Sequence, residues 1–239
     1  MPSASYDQMV QHRIAHEKLA TRSIKAINDL WYDKGIEMVL FRNQLIDKRA
    51  SEILSLHNYA HKMVGKPIEV EATTALLETM LTLDLCPARM DIGRLASEWV
   101  ESGGQPGSEK AFLEKQLAGC IGPENYTATT PKDVVLYGFG RIGRLLAREL
   151  IMQEGRGEQL RLRAIVTRDK GTGMAEKRAS LLRQDSVHGA FPGTVEADEE
   201  NNALIIDGHM VHLITAQQPE DIDYTKFGIN NALVIDNTG

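Results

Sequence analysis

The feature that most constrains this chain is a glycine pattern directly after the apolar run Asp133–Tyr137. Its six residues are Gly138, Phe139, Gly140, Arg141, Ile142 and Gly143. Glycine costs a helix stability relative to alanine, so local propensity does not explain this spacing. The first glycine permits a sharp turn, the second lets backbone approach a ligand, and the third lets the helix pack on its strand. Because the first helical turn has amides without intrahelical acceptors, the pattern predicts a diphosphate site.

Composition narrows the class of protein. The chain has 239 residues, of which 42% are hydrophobic and 25% charged, and its net charge is −6. These values are typical of a globular protein with one large domain or two smaller ones. Neither half carries the basic excess that non-specific nucleic-acid binding needs, so we expect no nucleic-acid partner. The chain has no apolar signal core, no run long enough to span a membrane and only two cysteines, which predicts a cytoplasmic protein without a membrane partner.

Residues 1–125 show helical hydrophobic periodicity almost throughout and are predicted to form an all-helical domain. Five amphipathic stripes run through Val10–Trp31, Ile36–Leu54, Leu76–Leu81, Ile92–Val100 and Phe112–Leu117. The second stripe begins with Ile36 and Val39, and Ser108 is the expected N-cap of the fifth helix. Short polar joints separate the stripes, which favours a helical bundle.

Residues 132–239 alternate between strand and helix patterns after a predicted linker at 122–132. The predicted strands are 133–137, 160–167, 194–197, 203–206, 210–215 and 232–236, and the predicted helices start near 142 and 175. Asp207-Gly208 joins two of the strands as a tight hairpin turn. The predicted fold class is therefore α/β, with a helical N-terminal domain followed by an incomplete Rossmann-type parallel sheet that carries a β-hairpin excursion.

The second predicted strand ends at Thr167 and is followed by Arg168 and Asp169. An acid at such a position accepts hydrogen bonds from the adenosine ribose hydroxyls of NAD, whereas an arginine pairs with the 2′-phosphate of NADP. The alternative is that both residues are solvated loop charges. The two residues favour opposite cofactors, so NAD and NADP both stay open, with a slight preference for NAD.

Three motifs together resemble the glyceraldehyde-3-phosphate dehydrogenase family. They are GFGRIGR at 138–144, RQDSVHGAFPGTV at 183–195 and ALVIDNTG at 232–239. The resemblance implies that the amides of Arg141 and Ile142 hold the cofactor pyrophosphate, and that Thr238 and Gly239 lie beside the cofactor. The helical half is similar to the amino-terminal extension of a long bacterial branch, and no function is carried over to it.

The resemblance also implies an activity. Enzymes of that family oxidise a sugar-phosphate aldehyde in glycolysis: a thiolate attacks it, the adduct gives hydride to nicotinamide, and phosphate releases the acyl group. Glyceraldehyde 3-phosphate is the implied substrate, and erythrose 4-phosphate is the other one considered. The family's cysteine sits in a Ser-Cys-Thr-Thr-Asn context, whereas Cys86 and Cys120 lie in other contexts before the cofactor domain. We therefore assign no catalytic residue, and expect an inactive amino-terminal part of an enzyme that is a homo-oligomer when complete.

The chain also departs from the family pattern. Tyr137 stands where the family has Asn, and Gln217-Gln218-Pro219 replaces a Glu-Arg-Asp-Pro stretch that frames the adenine. A second hypothesis from another class is a non-catalytic dinucleotide-binding or scaffold protein whose helical domain binds partners.

Histidine pairs with four-residue spacing, His12/His16 and His57/His61, have the spacing of metal ligands on a helix. No Cys or Asp near them completes a site, so we expect no metal. The first pair is expected to be solvent-exposed and the second to pack between helices, and His188 is expected to be structural.

Overall fold

The computed structural model describes residues 5–65, 68–126, 130–155, 157–169 and 173–238. The chain divides into two compact units, Met1–Thr127 and Ala128–Gly239. The predicted linker at 122–132 spans this division, and its residues 127–129 lie outside the described ones. No helix among the described residues is long and apolar enough to cross a membrane.

The first unit is mainly helical, but it also contains a small sheet that the prediction of an all-helical domain did not include. Its described helices and strands are α1 (Tyr6–Lys34), β1 (Ile36–Leu40), β2 (Asn43–Gln44), α2 (Ala50–Val64), α3 (Val70–Leu81), β3 (Ala88–Asp91), α4 (Ile92–Glu101) and α5 (Glu109–Gln116). The strand order is β2-β1-β3, with β1 antiparallel to β2 and parallel to β3.

The helix predicted from Ile36 and Val39 was wrong, because both residues lie in β1. Gly35 ends α1 in the left-handed conformation (φ 69°), and its amide donates to the carbonyls of Leu30 and Trp31. β1 is the middle strand and is buried along most of its length, so it lacks the alternation that marks a half-exposed strand. A short apolar run of this kind is ambiguous between helix and strand.

One carboxylate ties the β1–β2 turn to the start of α4. Asp91 Oδ1 accepts hydrogen bonds from the amides of Gly93 (3.0 Å) and Arg94 (3.2 Å), and so caps the helix. It also accepts from the Phe41 amide at 3.0 Å. Phe41 and Arg42 both have positive φ, 46° and 74°, which is costly for residues other than glycine.

The helix α5 begins directly after Ser108, as predicted, but the Ser108 side chain does not cap it. Its hydroxyl oxygen instead accepts hydrogen bonds from the Trp99 indole at 3.0 Å and from the Gln105 amide at 3.1 Å. A buried indole N–H needs an acceptor, and here the serine supplies it.

The second unit has the predicted α/β fold around a six-stranded sheet. Its described elements are β4 (Lys132–Tyr137), α6 (Arg141–Glu154), β5 (Leu160–Thr167), α7 (Met174–Arg183), β6 (Gln184–Asp185), β7 (Gly189–Ala190), β8 (Val195–Asp198), β9 (Ala203–Ile206), β10 (His209–Thr215) and β11 (Leu233–Asp236). In the order β11-β4-β5-β10-β9-β8 the first four strands are parallel, and β9 and β8 add as antiparallel hairpins. Sequence reasoning missed the small β6–β7 hairpin.

The sheet separates two apolar clusters. Val134 and Leu136 belong to one, and Val135 and Tyr137 belong to the other. Successive strand residues point to opposite faces, so a fully apolar strand such as β4 indicates a sheet covered on both sides. Asp207 and Gly208 form the predicted turn between β9 and β10, with φ of 48° and 83°.

Candidate functional site

Three parallel strands end at the same edge of the sheet in the second unit. Tyr137, the last residue of β4, pairs with Val166 of β5 on one side and with Asp236 of β11 on the other. Ligands of open α/β sheets bind outside the carboxyl ends of the strands. A cavity of about 350 Å³ lies here, a volume in the range of small-molecule sites. It is lined by Tyr137, Gly138, Phe139, Gly140, Val166, Thr167, Arg168, Asp169, Met174, Lys177, Arg178, Leu181, Asn237 and Thr238.

The three glycines of the loop meet different surroundings. Gly138 has φ 101°, and a Cβ there would lie 2.9 Å from Asn237 Oδ1. A Cβ on Gly143 would lie 2.5 Å from the same atom and 2.6 Å from the Gly138 carbonyl oxygen. A Cβ on Gly140 would have no atom within 4 Å. Gly138 and Gly143 are therefore needed for the turn and for packing, whereas Gly140 borders open space.

The helix α6 starts at Arg141 with no side-chain cap at Gly140. Its first intrahelical bond runs from the Arg144 amide to the Gly140 carbonyl at 3.0 Å. By helix geometry the amides of Arg141, Ile142 and Gly143 have no acceptor within the helix. These amides and the positive end of the helix dipole can stabilise a diphosphate.

Charged side chains line the wall formed by β5 and α7. Arg168 and Asp169 follow β5, and both are exposed. Lys177 and Arg178 reach the same cavity from α7. Among the described lining residues, three cations therefore accompany one acid at this end of the cavity.

Arg178 is the unusual member of this wall, since it is only 5% exposed. Its guanidinium donates a hydrogen bond to the Thr167 hydroxyl at the end of β5. Burial lowers the pKa of Arg178, and the charges of Asp169 and Glu199 partly oppose this. The helix α7 begins near its predicted start at residue 175, but its place in the cavity wall was not predicted. Four side chains on one helical face make this wall: Met174, Lys177, Arg178 and Leu181. Their spacing of three and four residues was the available signal.

The end of β11 closes the other side of the glycine loop. The Asn237 amide donates to the Tyr137 carbonyl at 2.9 Å, which fixes this segment beside β4. Asn237 Oδ1 is buried and has no hydrogen-bond partner among the described residues. Thr238 donates to Asp236 through its amide (2.9 Å) and its hydroxyl (2.7 Å), and these bonds lower the pKa of Asp236. Gly239, predicted to lie beside the cofactor, is outside the described residues.

Two departures from the family pattern contact each other. The Tyr137 hydroxyl donates to the carbonyl of Gln217, a residue 80 positions away, at 2.5 Å. Tyr137 is thereby anchored at the cavity wall, and the segment that begins at Gln217 is held against the end of β4.

The second family-like motif lies beside the loop and not in the cavity lining. Asp185 is buried and accepts hydrogen bonds from the amides of Val187 (2.9 Å) and His188 (3.0 Å). Arg144 bridges Asp185 (3.3 Å) and the Phe139 carbonyl (3.3 Å), which connects the motif to the glycine loop. These bonds hold the pKa of Asp185 well below its usual range. The His188 imidazole contacts Asp185 at 3.1 Å.

The histidine pairs of the first unit lie on α1 and α2. The His57 ring is buried and contacts the Thr73 hydroxyl and the Ile53 carbonyl, each at 2.8 Å, and burial lowers its pKa. The His12 and His16 rings lie 4.0 Å apart. The side chain of His61 lies outside the described part. Within the described residues no group of three or more His, Cys, Asp or Glu is placed to hold a metal ion.

Comparison with known proteins connects this geometry to a family. Residues 132–239 match the family model described as glyceraldehyde 3-phosphate dehydrogenase, NAD binding domain. The match covers the sheet, both helices and the cavity of the second unit.

Individual relatives agree with that match. The chain is 42% identical over 218 residues to a glyceraldehyde-3-phosphate dehydrogenase-like protein of Pseudomonas aeruginosa (strain UCBPP-PA14), which covers 90% of this chain and 47% of that protein. It is 35% identical over 106 residues to glyceraldehyde-3-phosphate dehydrogenase of Zymomonas mobilis, covering 44% of this chain and 28% of the relative. The Thermotoga maritima enzyme is 36% identical over 106 residues, 44% of this chain and 29% of the relative. The chain thus spans about half, or less than a third, of the length of these relatives, and its residues 132–239 are similar to the NAD binding domain of the glyceraldehyde-3-phosphate dehydrogenase family.

Proposed function

We propose that this chain is the NAD(P)-binding part of a glyceraldehyde-3-phosphate dehydrogenase-like oxidoreductase. The observation that carries the proposal is Gly140, which borders open space beside an uncapped helix start and a cavity at the carboxyl edge of the sheet. The buried Asn237 Oδ1, which has no partner among the described residues, adds a polar group beside the same loop.

In this proposal the cavity receives a nicotinamide adenine dinucleotide. The amides of Arg141 and Ile142 hold the pyrophosphate, Asp169 or Arg168 meets the adenosine end, and Thr238 lies beside the cofactor. Gly239 is proposed to lie beside the cofactor together with Thr238. When bound, the cofactor supplies a hydride acceptor. NAD is slightly preferred, because Asp169, which follows β5 and lines the cavity, can accept hydrogen bonds from the ribose hydroxyls.

The substrate and the assembly belong to the same proposal. The names of the relatives support glyceraldehyde 3-phosphate as the substrate of the complete enzyme. That the oxidation is coupled to phosphorylation is part of the proposal, and erythrose 4-phosphate is the second substrate to test. We place the protein in the cytoplasm and its active form in a homo-oligomer. Cys86 and Cys120 both lie in the first unit, so the cavity wall supplies no thiol nucleophile. Residues 1–239 alone therefore bind the cofactor without turning over substrate.

The test is calorimetric titration of the 239-residue chain with NAD and, separately, with NADP. Gly140→Val places a branched side chain in the open space where the diphosphate would approach the amides. We expect the Kd for the dinucleotide to rise about 100-fold through loss of two charge-assisted hydrogen bonds of about 1.5 kcal/mol each. Gly119→Val is the matched control, because a Cβ at Gly119 also meets no atom within 4 Å and Gly119 lies in the other unit.

The outcomes separate the hypotheses. Binding of a dinucleotide by the parent chain and by Gly119→Val, but not by Gly140→Val, supports the proposal. Equal Kd values in all three proteins would show that the cofactor site is elsewhere. Aldehyde-dependent reduction of NAD or NADP by the 239-residue chain would contradict the assignment of no catalytic residue, and dinucleotide binding without any reduction in the full-length protein would favour the scaffold hypothesis.

A further inference from the structure

The only two cysteines in the sequence, 34 positions apart, come together in the first unit. Leu85 and Ile121 form an antiparallel bridge between the segment after α3 and the segment after α5. The Cys86 amide donates to the Cys120 carbonyl at 2.8 Å, and the Gly122 amide donates to the Asp84 carbonyl at 2.9 Å. This register places Cys86 and Cys120 opposite each other.

Antiparallel register sets the separation of such a pair. Residues directly opposite one another have Cα atoms about 4.5–5.5 Å apart. A disulfide requires a Cα separation of about 4.4–6.8 Å. These two ranges overlap, so the register of the Leu85–Ile121 bridge is compatible with a disulfide between the two cysteines.

Burial and, after it, the neighbouring Cys86 thiol raise the pKa of Cys120. Both cysteines are free and half-buried, so small reagents have access to them. Either thiol can therefore react with a small disulfide.

We propose that Cys86 and Cys120 form a reversible redox pair that closes to a disulfide when a low-molecular-weight disulfide, such as oxidised glutathione, is the oxidant. The Cys86 thiolate attacks one sulfur of the oxidant, which forms a mixed disulfide and expels one small thiolate. The Cys120 thiolate then attacks the Cys86 sulfur and expels the second. The two cysteines lose two protons and two electrons, and the oxidant is reduced to two thiols.

The disulfide would restrain a defined part of the first unit. The loop from Cys86 to Cys120 contains β3, α4 and α5, so closure ties the segment after α3 to the segment after α5. Closing a loop of this length lowers the entropy of the unfolded chain. We expect the melting temperature of the first unit to rise by on the order of 10 °C.

The test is equilibration of the 239-residue chain with oxidised glutathione, followed by intact mass measurement and thiol alkylation. The proposal expects a monomer lighter by two hydrogen atoms, with no alkylatable thiol, a raised melting temperature and full reversal by dithiothreitol. Cys86→Ser and Cys120→Ser are the matched controls: each is expected to retain one mixed disulfide and to show no such rise.

Other outcomes overturn the proposal. These are two stable glutathione adducts on the parent chain, two thiols that stay alkylatable in excess oxidant, and a covalent dimer on a non-reducing gel. The parent chain alone distinguishes these outcomes, even where a serine variant fails to fold. The result is independent of the dinucleotide titration, whose site lies in the other unit.

Discussion

The first turns of α4 and α6 differ in whether a side chain of the protein accepts hydrogen bonds from their backbone amides. At α4, Asp91 accepts from the amides of Gly93 and Arg94 and so satisfies them within the protein. At α6, Gly140 provides no side-chain cap, and a cavity borders the loop. A capped helix start contributes to stability, whereas an uncapped one leaves donors for an anion. The two helix starts therefore differ by one capping side chain, which Asp91 supplies at α4 and Gly140 lacks at α6.

The largest effect on stability and binding is expected at Gly143, where the uncapped first turn of α6 packs tightly against Asn237. Gly143→Ala places a methyl group against Asn237 Oδ1 and the Gly138 carbonyl, which forces α6 away from the strands. We expect a loss of about 1–3 kcal/mol in unfolding free energy, as overpacking usually costs, together with loss of dinucleotide binding. Denaturant unfolding and calorimetry measure the two effects.

Gly140→Ala is the control for that variant, since its methyl group meets no atom within 4 Å. It should keep or slightly raise stability while weakening binding. If Gly143→Ala proved as stable as Gly140→Ala, the assignment of Gly143 to helix packing would be wrong.

Removal of the Asp91 cap at the start of α4 should lower the free energy of unfolding and leave dinucleotide binding unchanged. Asp91→Ala deprives the amides of Phe41, Gly93 and Arg94 of their acceptor, and we expect a loss of about 1–2 kcal/mol. Asp91→Asn keeps an acceptor oxygen and should lose less. The measurement is urea unfolding alongside NAD titration, and a weaker NAD affinity in Asp91→Ala would break the contrast between the two helix starts.

Acid should weaken the contacts that the Asp185 carboxylate makes near the start of α6. The folded pKa of Asp185 is depressed, so its contribution to stability is complete above its unfolded-state pKa of about 3.9 and is lost as pH falls below that value. Asp185→Asn should therefore melt at a lower temperature at neutral pH, and its difference from the parent chain should shrink below about pH 4. A pH series of thermal melts tests this, and a difference that grows on acidification would contradict it.

The smallest effects are expected at the exposed charges of the cavity wall. Arg168→Ala should raise the ratio of NADP Kd to NAD Kd, and Asp169→Asn should lower it, each about 2- to 5-fold, because exposed charge interactions contribute about 0.5–1 kcal/mol. Paired titrations with the two dinucleotides measure the ratios. Shifts in the same direction for both variants would mean that these side chains do not contact the ribose.

The sequence predicted the second unit better than the first. The bounds of β5 and β9 match their predicted residues, because Gly-containing turns and apolar runs delimit them. The β1–β2 turn carries no such marker: Phe41 and Arg42 adopt positive φ in a position where Gly or Asn is usual. The Asp91 carboxylate that accepts the Phe41 amide is 50 residues away, and no local pattern reveals that contact.

The candidate site was likewise predictable from the sequence only in part. The glycine loop was predictable because a contiguous motif builds it, and the sequence placed it between a strand and a helix that the structure contains. Lys177 and Arg178 were not predicted to line the cavity, since their place depends on how α7 lies against the end of β5. Whether Arg168 or Asp169 meets a ligand depends on side-chain direction, which sequence spacing does not determine.

The bond between Tyr137 and Gln217 has a consequence for exchange of parts between related enzymes. The two positions are far apart in the chain, yet one supplies the donor and the other the acceptor of a single contact. Transplanting the Asn of a relative into position 137 by itself would strip the carbonyl at 217 of its donor. The two residues must therefore be transferred together in any chimaera, because a graft that separates them would disturb the contact between the end of β4 and the segment at Gln217.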